Sequence, residues 1–459
     1  MDPDVRRPSW NVVVGGAPVR VLRLGDAGAR LIDRWDGGTT VGRGLAAGRF
    51  ARRLVDAGIA HPRPPASPLP DVAFVIPVRD HEAGLRATLA SLAFTSSFAG
   101  RPGGPNVVVV DDGSAAPAGH RNPLPSDVKV LREELPRGPA AARNLGWHAA
   151  ESEIVVFLDA ECVPKGDWLA VLLPHFADPA VAAVAPRIVS AVRDSDALHV
   201  YENLRSSLDL GEREAPVRPG SRVPYVPTAC LAVRREALQQ IGGFDETLRF
   251  GEDVDLVWRL NDAGWSVRYE PRASVNHPPR PNLSEWLRQR FDYGRSAAPL
   301  ARRHGSDVAP LAVSPWSIGV WALVAGGYPA GGAALAAATA GVLARRARGD
   351  KETAIELARL AVRGNLLAGA QLAEAIRRAW LLPSLAAMAL LPAGRPRRRA
   401  AAVVGAAFAT PLVEWVSLRP PVDAVRWMAL RDADDLAYQT GVWFGAVSSR
   451  SLKTLLPRL

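Results

Sequence analysis

The chain has 459 residues, 48% of them hydrophobic, a formal net charge of +10 in which arginine far outnumbers lysine, and two cysteines, Cys162 and Cys230. That length holds two or three domains with a sizeable core. The cysteine count excludes a multi-bridge disulfide framework or a four-thiolate zinc site and favours free thiols in a reducing compartment. The charge fits nucleic acid, an anionic membrane surface or phosphorylated substrates, but no basic stretch is interleaved with stacking aromatics, which argues against a nucleic-acid binder. The opening MDPDVRRPSW has no long apolar run, so no signal peptide is expected and the body should stay in the cytoplasm.

Residues 1–60 read as a small α+β unit, with a strand over Val19 to Leu24 and helices over DAGARLIDRW and GRFARRLVDAGI. The proline-rich HPRPPASPLP, residues 61–70, denies a helix and makes a linker. In the next domain, residues 71–305, the runs VAFVIPV, NVVVVDDGS and EIVVFLDAE alternate with the helical GLRATLASLAF and GPAAARNLGWHAA. Apolar runs without polar alternation mark strands covered on both faces, hence an α/β fold around a parallel sheet. Ligands bind at the carboxyl ends of such strands. Asp80 and Glu82, Asp111 and Asp112, and Asp159 and Glu161 all fall there.

Residues 306–459 are rich in Ala and Leu and read as a helical, membrane-associated region. Trp316 to Leu343 carries no charge and is long enough to span a bilayer. Arg302 and Arg303 precede it and Arg345, Arg346 and Arg348 follow, against the positive-inside preference for one crossing. Gly326-Gly327-Tyr328-Pro329 offers a break, so a re-entrant or interfacial hairpin with both ends cytoplasmic is expected. The amphipathic stretch 352–380 would then lie on the anionic inner leaflet. RPRRR at 395–399 divides two further apolar stretches. A soluble bundle of Ala-rich helices is the competing reading.

The chemistry gathers at the strand ends. Asp111 and Asp112, followed by Gly113, offer acceptors that match the donor groups of a uracil and a ribose, and no Walker or GxGxxG pattern follows a strand. Arg137, Arg143 and Asn144 lie near a helix N-terminus, a place that suits a diphosphate. Asp159 and Glu161 would repel one another without a cation between them, and a hard divalent ion, Mg²⁺ or Mn²⁺, takes such ligands together with substrate phosphates. His277 is a candidate third ligand, and Arg280 a further contact for the diphosphate. Glu252 and Asp253 open a helix; Asp253 is the candidate base that takes the proton of an acceptor hydroxyl.

The ordered stretches VIPVRDHEAGL, VVVVDDGS, GPAAARNLG, FLDAEC and GGFDETLRFGEDVDLVWRL, over about residues 71–300, resemble the inverting family 2 glycosyltransferases of the GT-A fold. The resemblance implies that Pro77, Asp80, Glu82, Asp111 and Asp112 surround the nucleoside, that Asp159 and Glu161 form the metal motif, and that Asp253 is the base. Glu161 departs from the usual Asp-x-Asp, which shifts the ion or loosens the dependence on it. The whole-chain layout resembles the glycosyltransferases of the mycofactocin system. That implies glucose from UDP-glucose, a peptide-derived small-molecule acceptor and a β-linked oligosaccharide, while the basic clusters around the tail lead to the expectation of a place on the cytoplasmic face of the cell membrane. Residues 1–60 resemble the small winged-helix peptide-binding modules of such pathways, although a packing cap would have the same pattern. A transferase acting on a polyprenyl phosphate fits the tail as well. A polysaccharide synthase fits less, because neither Gln239, Gln240 nor Gln289 begins Gln-x-x-Arg-Trp.

Overall fold

The computed structural model describes residues 1–65, 68, 70–93, 106–120, 122–190 and 196–458. Residues 66, 67 and 69 of the linker, and residue 94 at the end of an expected helix, lie outside that set. The N-terminal unit is a three-stranded antiparallel sheet, β1 (Arg6–Ser9), β2 (Val12–Gly15) and β3 (Arg20–Arg23), followed by α1 (Asp26–Asp36) and α2 (Leu45–Asp56). Its core joins Val13, Ile32, Leu54 and Ile59. β3 matches the expected strand. β1 carries no apolar pattern and β2 is a four-residue run, too short to stand out from the turns around it.

The central sheet contains β4 (Val72–Val78), β5 (Asn106–Asp112), β6 (Val128–Glu133), β7 (Ile154–Leu158), β8 (Val163–Pro164), β9 (Val181–Ser190), β10 (Ala215–Pro216), β11 (Cys230–Arg234) and β12 (Ser266–His277). Its order is β10-β12-β9-β11-β7-β4-β5-β6, with β8 paired to β12. β7, β4, β5 and β6 run parallel, and so do β9 and β12. β11 runs antiparallel to both β7 and β9. The sheet is mixed rather than all-parallel. The intervening helices are α3 (Glu82–Ala93), α4 (Pro139–Ala149), α5 (Trp168–Leu172), α6 (Ala197–Arg205), α7 (Arg235–Ile241) and α8 (Glu252–Asp262). One core layer packs Trp147, Leu238 and Leu256 on the sheet and the other packs Leu85, Leu92 and Trp168, so the strands are buried on both faces. Both cysteines are free and buried.

The C-terminal helices are α9 (Leu283–His304), α10 (Pro315–Ala325), α11 (Pro329–Arg345), α12 (Lys351–Ala375), α13 (Leu381–Leu390), α14 (Arg395–Leu418) and α15 (Ala424–Ser448). The Trp316 to Leu343 stretch divides at Gly326–Tyr328 into the packed pair α10 and α11. Among the described residues, the helix long and apolar enough to cross a membrane is a different one, the 24-residue α14. A polar seam joins the tail to the sheet domain: Trp286 Nε1 and Arg290 donate to Glu202, and the Tyr201 hydroxyl donates to Asp434 at 2.9 Å. α9 and α15 cross in backbone contact. A Cβ on Gly294 would fall onto the carbonyl oxygen of Tyr438, and one on Gly441 onto that of Phe291.

Gly441→Ala is therefore expected to destabilise the protein by about 1–3 kcal/mol through overpacking. Gly364→Ala in α12, where nothing lies within 4 Å, should be neutral or stabilising. Thermal melts of the two variants check this; equal melting temperatures would show that the crossing is not tight.

Candidate functional site

The site lies where β4, β5 and β7 end. Asp80 follows β4 with a positive φ of 52°. Its amide donates to Ser114 Oγ at 3.0 Å and its Oδ1 accepts from Ala115 N at 2.7 Å, which ties the loops after β4 and β5 together. Pro77 is half-buried in β4, and Glu82 opens α3 with Arg86 at 2.8 Å. The aspartates that end β5 face inward. Asp111 is fully buried and accepts from Ser114 N (2.8 Å), Ala118 N (2.9 Å) and Arg132 (2.6 Å). Burial opposes its charge, but these donors prevail and hold its carboxyl below the ordinary range. Asp112 accepts from Arg137 N at 2.7 Å and Gly138 N at 2.9 Å. Both side chains shape the loops, which differs from the expected contact with a nucleoside.

The anion-binding expectation for α4 also changes. Asn144 Nδ2 donates to Phe244 O (2.9 Å) and Glu246 (3.0 Å), and its Oδ1 accepts from Trp147 Nε1 and Phe244 N. Two donors and two acceptor sites are all used, so Asn144 holds the loop before α8 and has nothing left for a diphosphate. Arg143 is buried and bridges two acids, Asp159 Oδ1 at 2.8 Å and Glu252 Oε1 at 3.0 Å. Burial disfavours its charge, and the two carboxylates more than restore it. Arg137 remains exposed, paired with Glu246 at 2.6 Å.

Glu161 faces His277, with Oε1 3.1 Å from Nε2, and Arg280 stands 3.7 Å from the same oxygen. Burial works against the Glu161 charge, yet His277, Arg280 and His81 hold it below its usual range. His277 Nδ1 lies 2.8 Å from the carbonyl oxygen of Pro278, which can only accept, so that nitrogen carries a proton. Burial disfavours the charged ring, but Glu161 outweighs it and holds His277 above its ordinary range, so Nε2 donates to Glu161 and must lose that proton to ligate an ion. An imidazole nitrogen and a carboxylate oxygen converging in this way fit a divalent ion. Among the described residues no third His, Cys, Asp or Glu joins them in a ligand cluster. Asp159, the expected partner of Glu161, instead turns an oxygen onto Arg143.

His81 was not singled out in the sequence, and it stands 3.8 Å from Glu161. The signal for it was Gly84. A Cβ there would strike the His81 ring and lie 2.7 Å from Ala160 O, so α3 can start this close to the Asp159–Glu161 turn only with glycine. Tyr225 and Tyr293 were missed as well. Burial pushes both phenols up and the nearby Asp253 charge adds to it, so both remain O–H groups.

Asp253 is half-buried at the start of α8 and accepts from Val254 N at 2.8 Å. Burial, followed by the Glu252 charge beside it, pushes its carboxyl up to about 7. Two adjacent acids thus divide their roles. Glu252 is neutralised by Arg143, and Asp253 is poised to exchange a proton near neutral pH.

Residues 70–293 match the family model described as glycosyltransferase like family 2. The pre-mycofactocin glycosyltransferase of Mycobacterium tuberculosis (strain ATCC 25618 / H37Rv) is 42% identical over 463 residues, covering 98% of this chain and 94% of that protein. Glycosyltransferase AglE of Haloferax volcanii is 25% identical over 237 residues, covering 50% of this chain and 73% of its own length. Among solved structures, the mannosyltransferase PcManGT of Pyrobaculum calidifontis, in complex with GDP-Man and Mn²⁺, aligns with a TM-score of 0.44 at 19% identity, over 88% of this chain and 97% of that one.

The carboxyl of Asp253 should titrate near pH 7, read by carboxyl-carbon NMR. In Glu252→Gln the midpoint should fall, because losing the adjacent negative charge favours the ionised form. An unchanged midpoint would assign the shift to burial alone.

Proposed function

The chain belongs to the family 2 glycosyltransferases, and from that premise we propose that it transfers glucose from UDP-glucose, with inversion, to a hydroxyl of the peptide-derived mycofactocin precursor, extending a β-linked oligosaccharide. The whole-length likeness to a pre-mycofactocin glycosyltransferase supports the acceptor. The observation that carries the mechanism is Asp253, a carboxylate held near 7 at the edge of the cleft. It takes the proton of the acceptor hydroxyl as that oxygen bonds to the anomeric carbon. The bond from that carbon to the diphosphate breaks on the opposite side and UDP leaves, so one displacement inverts the centre. Arg143 holds both Glu252 and Asp159, and the buried phenols of Tyr225 and Tyr293 keep their protons beside the Asp253 charge. Arg280, half-exposed beside Glu161, faces the charge of the departing diphosphate. Glu161 and His277 would hold Mg²⁺ or Mn²⁺, which supplies Lewis-acid stabilisation of the leaving group when bound.

A lipid-linked acceptor is the second reading, favoured by the mostly exposed apolar face of α14, with Leu412, Val413, Val416 and Leu418 outside and Arg395, Arg397, Arg398 and Arg399 at its start. Either acceptor is compatible with a tail resting on the cytoplasmic face of the cell membrane.

Intact-mass analysis with UDP-glucose should show hexose increments on the peptide-derived acceptor; increments on a polyprenyl phosphate alone would favour the second reading. Asp253→Asn should lower turnover by roughly 10² to 10⁴-fold with donor affinity little changed. In the parent enzyme, kcat/KM should fall as pH drops through about 7, where the base becomes protonated. By calorimetry, Glu161→Ala should lose most of the Mn²⁺-dependent gain in UDP affinity and Glu161→Asp should retain it; equal behaviour would remove Glu161 from the ion. Recovery of the protein in the soluble fraction at low salt would remove the membrane placement.

A further inference from the structure

The C-terminal helices reach the cleft at one place that the chemistry above leaves unused. α12 and α13 are joined by a single π-turn, Ile376–Trp380. Such wide turns are rare and recur at functional sites. This one sets two adjacent arginines astride one carboxylate of α15, with Arg377 2.8 Å and Arg378 3.2 Å from Asp435. Arg377 is buried there. Arg378 lies over the ring of Tyr438, 4.0 Å from its centroid, and Asp435 and Tyr438, three residues apart, share one face of α15. The turn is fastened to that helix: Trp443 Nε1 donates to the carbonyl of Ala379 at 2.8 Å, and the amide of Leu381 donates to Gln439 at 2.9 Å. Its position is therefore set by the fold and not by the loop around it.

Tyr438 stands where α15 crosses α9, against Gly294 and so beside Tyr293. The loop before β11 adds Tyr225, held over α8 because Trp258 Nε1 donates to the carbonyl of Pro224 at 2.8 Å. Burial pushes the Tyr225 phenol up, Asp253, Tyr293 and Tyr438 add to the rise and Arg378 opposes it, so these four groups lie within electrostatic reach of one hydroxyl. Tyr225, Asp253, Tyr293, Arg378 and Tyr438 are all half-buried, as groups lining a cleft are. Arg378 keeps 25% of its side-chain surface exposed, and among the described residues its one hydrogen-bond partner is Asp435, which leaves most of its five N–H donors to face the cleft. Phenol rings offer flat apolar faces with a hydroxyl at the rim. A pyranose offers C–H faces with hydroxyls around its rim, and a guanidinium fork donates to neighbouring oxygens of that kind. We propose that Arg378 and Tyr438 of the tail form, with Tyr225 and Tyr293, a subsite for a sugar ring already attached to the acceptor, so that the C-terminal helices select sugar-bearing acceptors for extension. The inference rests on the sugar-extending reaction proposed above and adds the groups that hold the acceptor's terminal sugar near Asp253.

Calorimetric titration of the full-length protein with cellobiose, in the presence of UDP and Mn²⁺, tests the subsite without requiring transfer. Cellobiose should bind, and Arg378→Gln and Tyr438→Ala should each weaken it roughly tenfold or more with UDP affinity unchanged. Tyr438→Phe, which keeps the ring, should retain most of the affinity. If Arg378→Gln or Tyr438→Ala fails to fold, Arg378→Lys, which keeps the charge without the planar fork, and Tyr438→Leu replace them and should weaken binding in the same direction. With cellobiose as acceptor for UDP-glucose, Arg378→Gln should raise KM more than it lowers kcat. No binding of cellobiose to the parent protein overturns the proposal, and equal binding by the variants removes the tail from the subsite. Displacement of cellobiose by inorganic phosphate, with full phosphate binding in Arg378→Lys, overturns it in favour of an anionic acceptor. Cellobiose binding that depends on Arg378 and Tyr438 but leads to no glucose transfer supports the subsite and removes the reaction proposed above.

Discussion

The guanidinium of Arg143 is buried between Asp159 at the end of β7 and Glu252 at the start of α8, and the rest of the cleft is placed relative to those two hydrogen bonds. Two carboxylates at strand and helix ends would separate without a cation, and a buried cation would be expelled without the carboxylates. Each makes the position of the others possible. The pairing also sets the electrostatics one residue further on. Burial and then the charge of Glu252 raise the carboxyl of Asp253, and Arg143 opposes that rise. The same guanidinium holds an oxygen of Asp159, while His277, Arg280 and His81 face Glu161. One side chain on α4 thus holds two acids directly and moderates a third.

Much of this was readable in the chain. The unbroken apolar runs of β4, β5 and β7 announce buried strands, and the acids after them mark the edge where ligands bind. The break at Gly326–Tyr328 was legible from local turn chemistry. The direction of β11 was not, because a buried strand shows the same side-chain pattern whichever way it runs. Nor was the engagement of Asp111, Asp112 and Asn144. An acid at a strand end looks the same whether it awaits a ligand or accepts from its own loop, and the deciding donors, such as the amides of Ser114, Ala118 and Gly138, carry no side-chain signature. His81 and the tyrosines near Asp253 lie far from their partners in sequence, so only the folded chain brings them in.

The tail combines two surfaces that composition alone merges. Where it meets the sheet domain it is polar inside, with Arg290 against Glu202 and Asp434, and with Arg377 and Arg431 on Asp435. Away from that seam it exposes Leu382, Leu390, Val413 and Val416. An Ala- and Leu-rich sequence averages these into one apolar signal. The N-terminal unit reaches the tail as well, since Arg23 donates to the carbonyl of Arg346 at 2.7 Å. The three regions are therefore in mutual contact.

The glycines at the crossing of α9 and α15 have a consequence of their own. Advancing one helix by a residue turns its surface by about 100° and replaces hydrogen with a side chain where two backbones meet. The crossing therefore works as a key that fits in one notch: sliding or rotating either helix lifts them apart. Insertions in the loops between α10 and α14 leave that notch untouched, whereas a single residue added within α15 before Gly441 disengages it. The tail can vary in length and composition over evolutionary time, while its angle to the cleft stays fixed by two positions that admit no side chain.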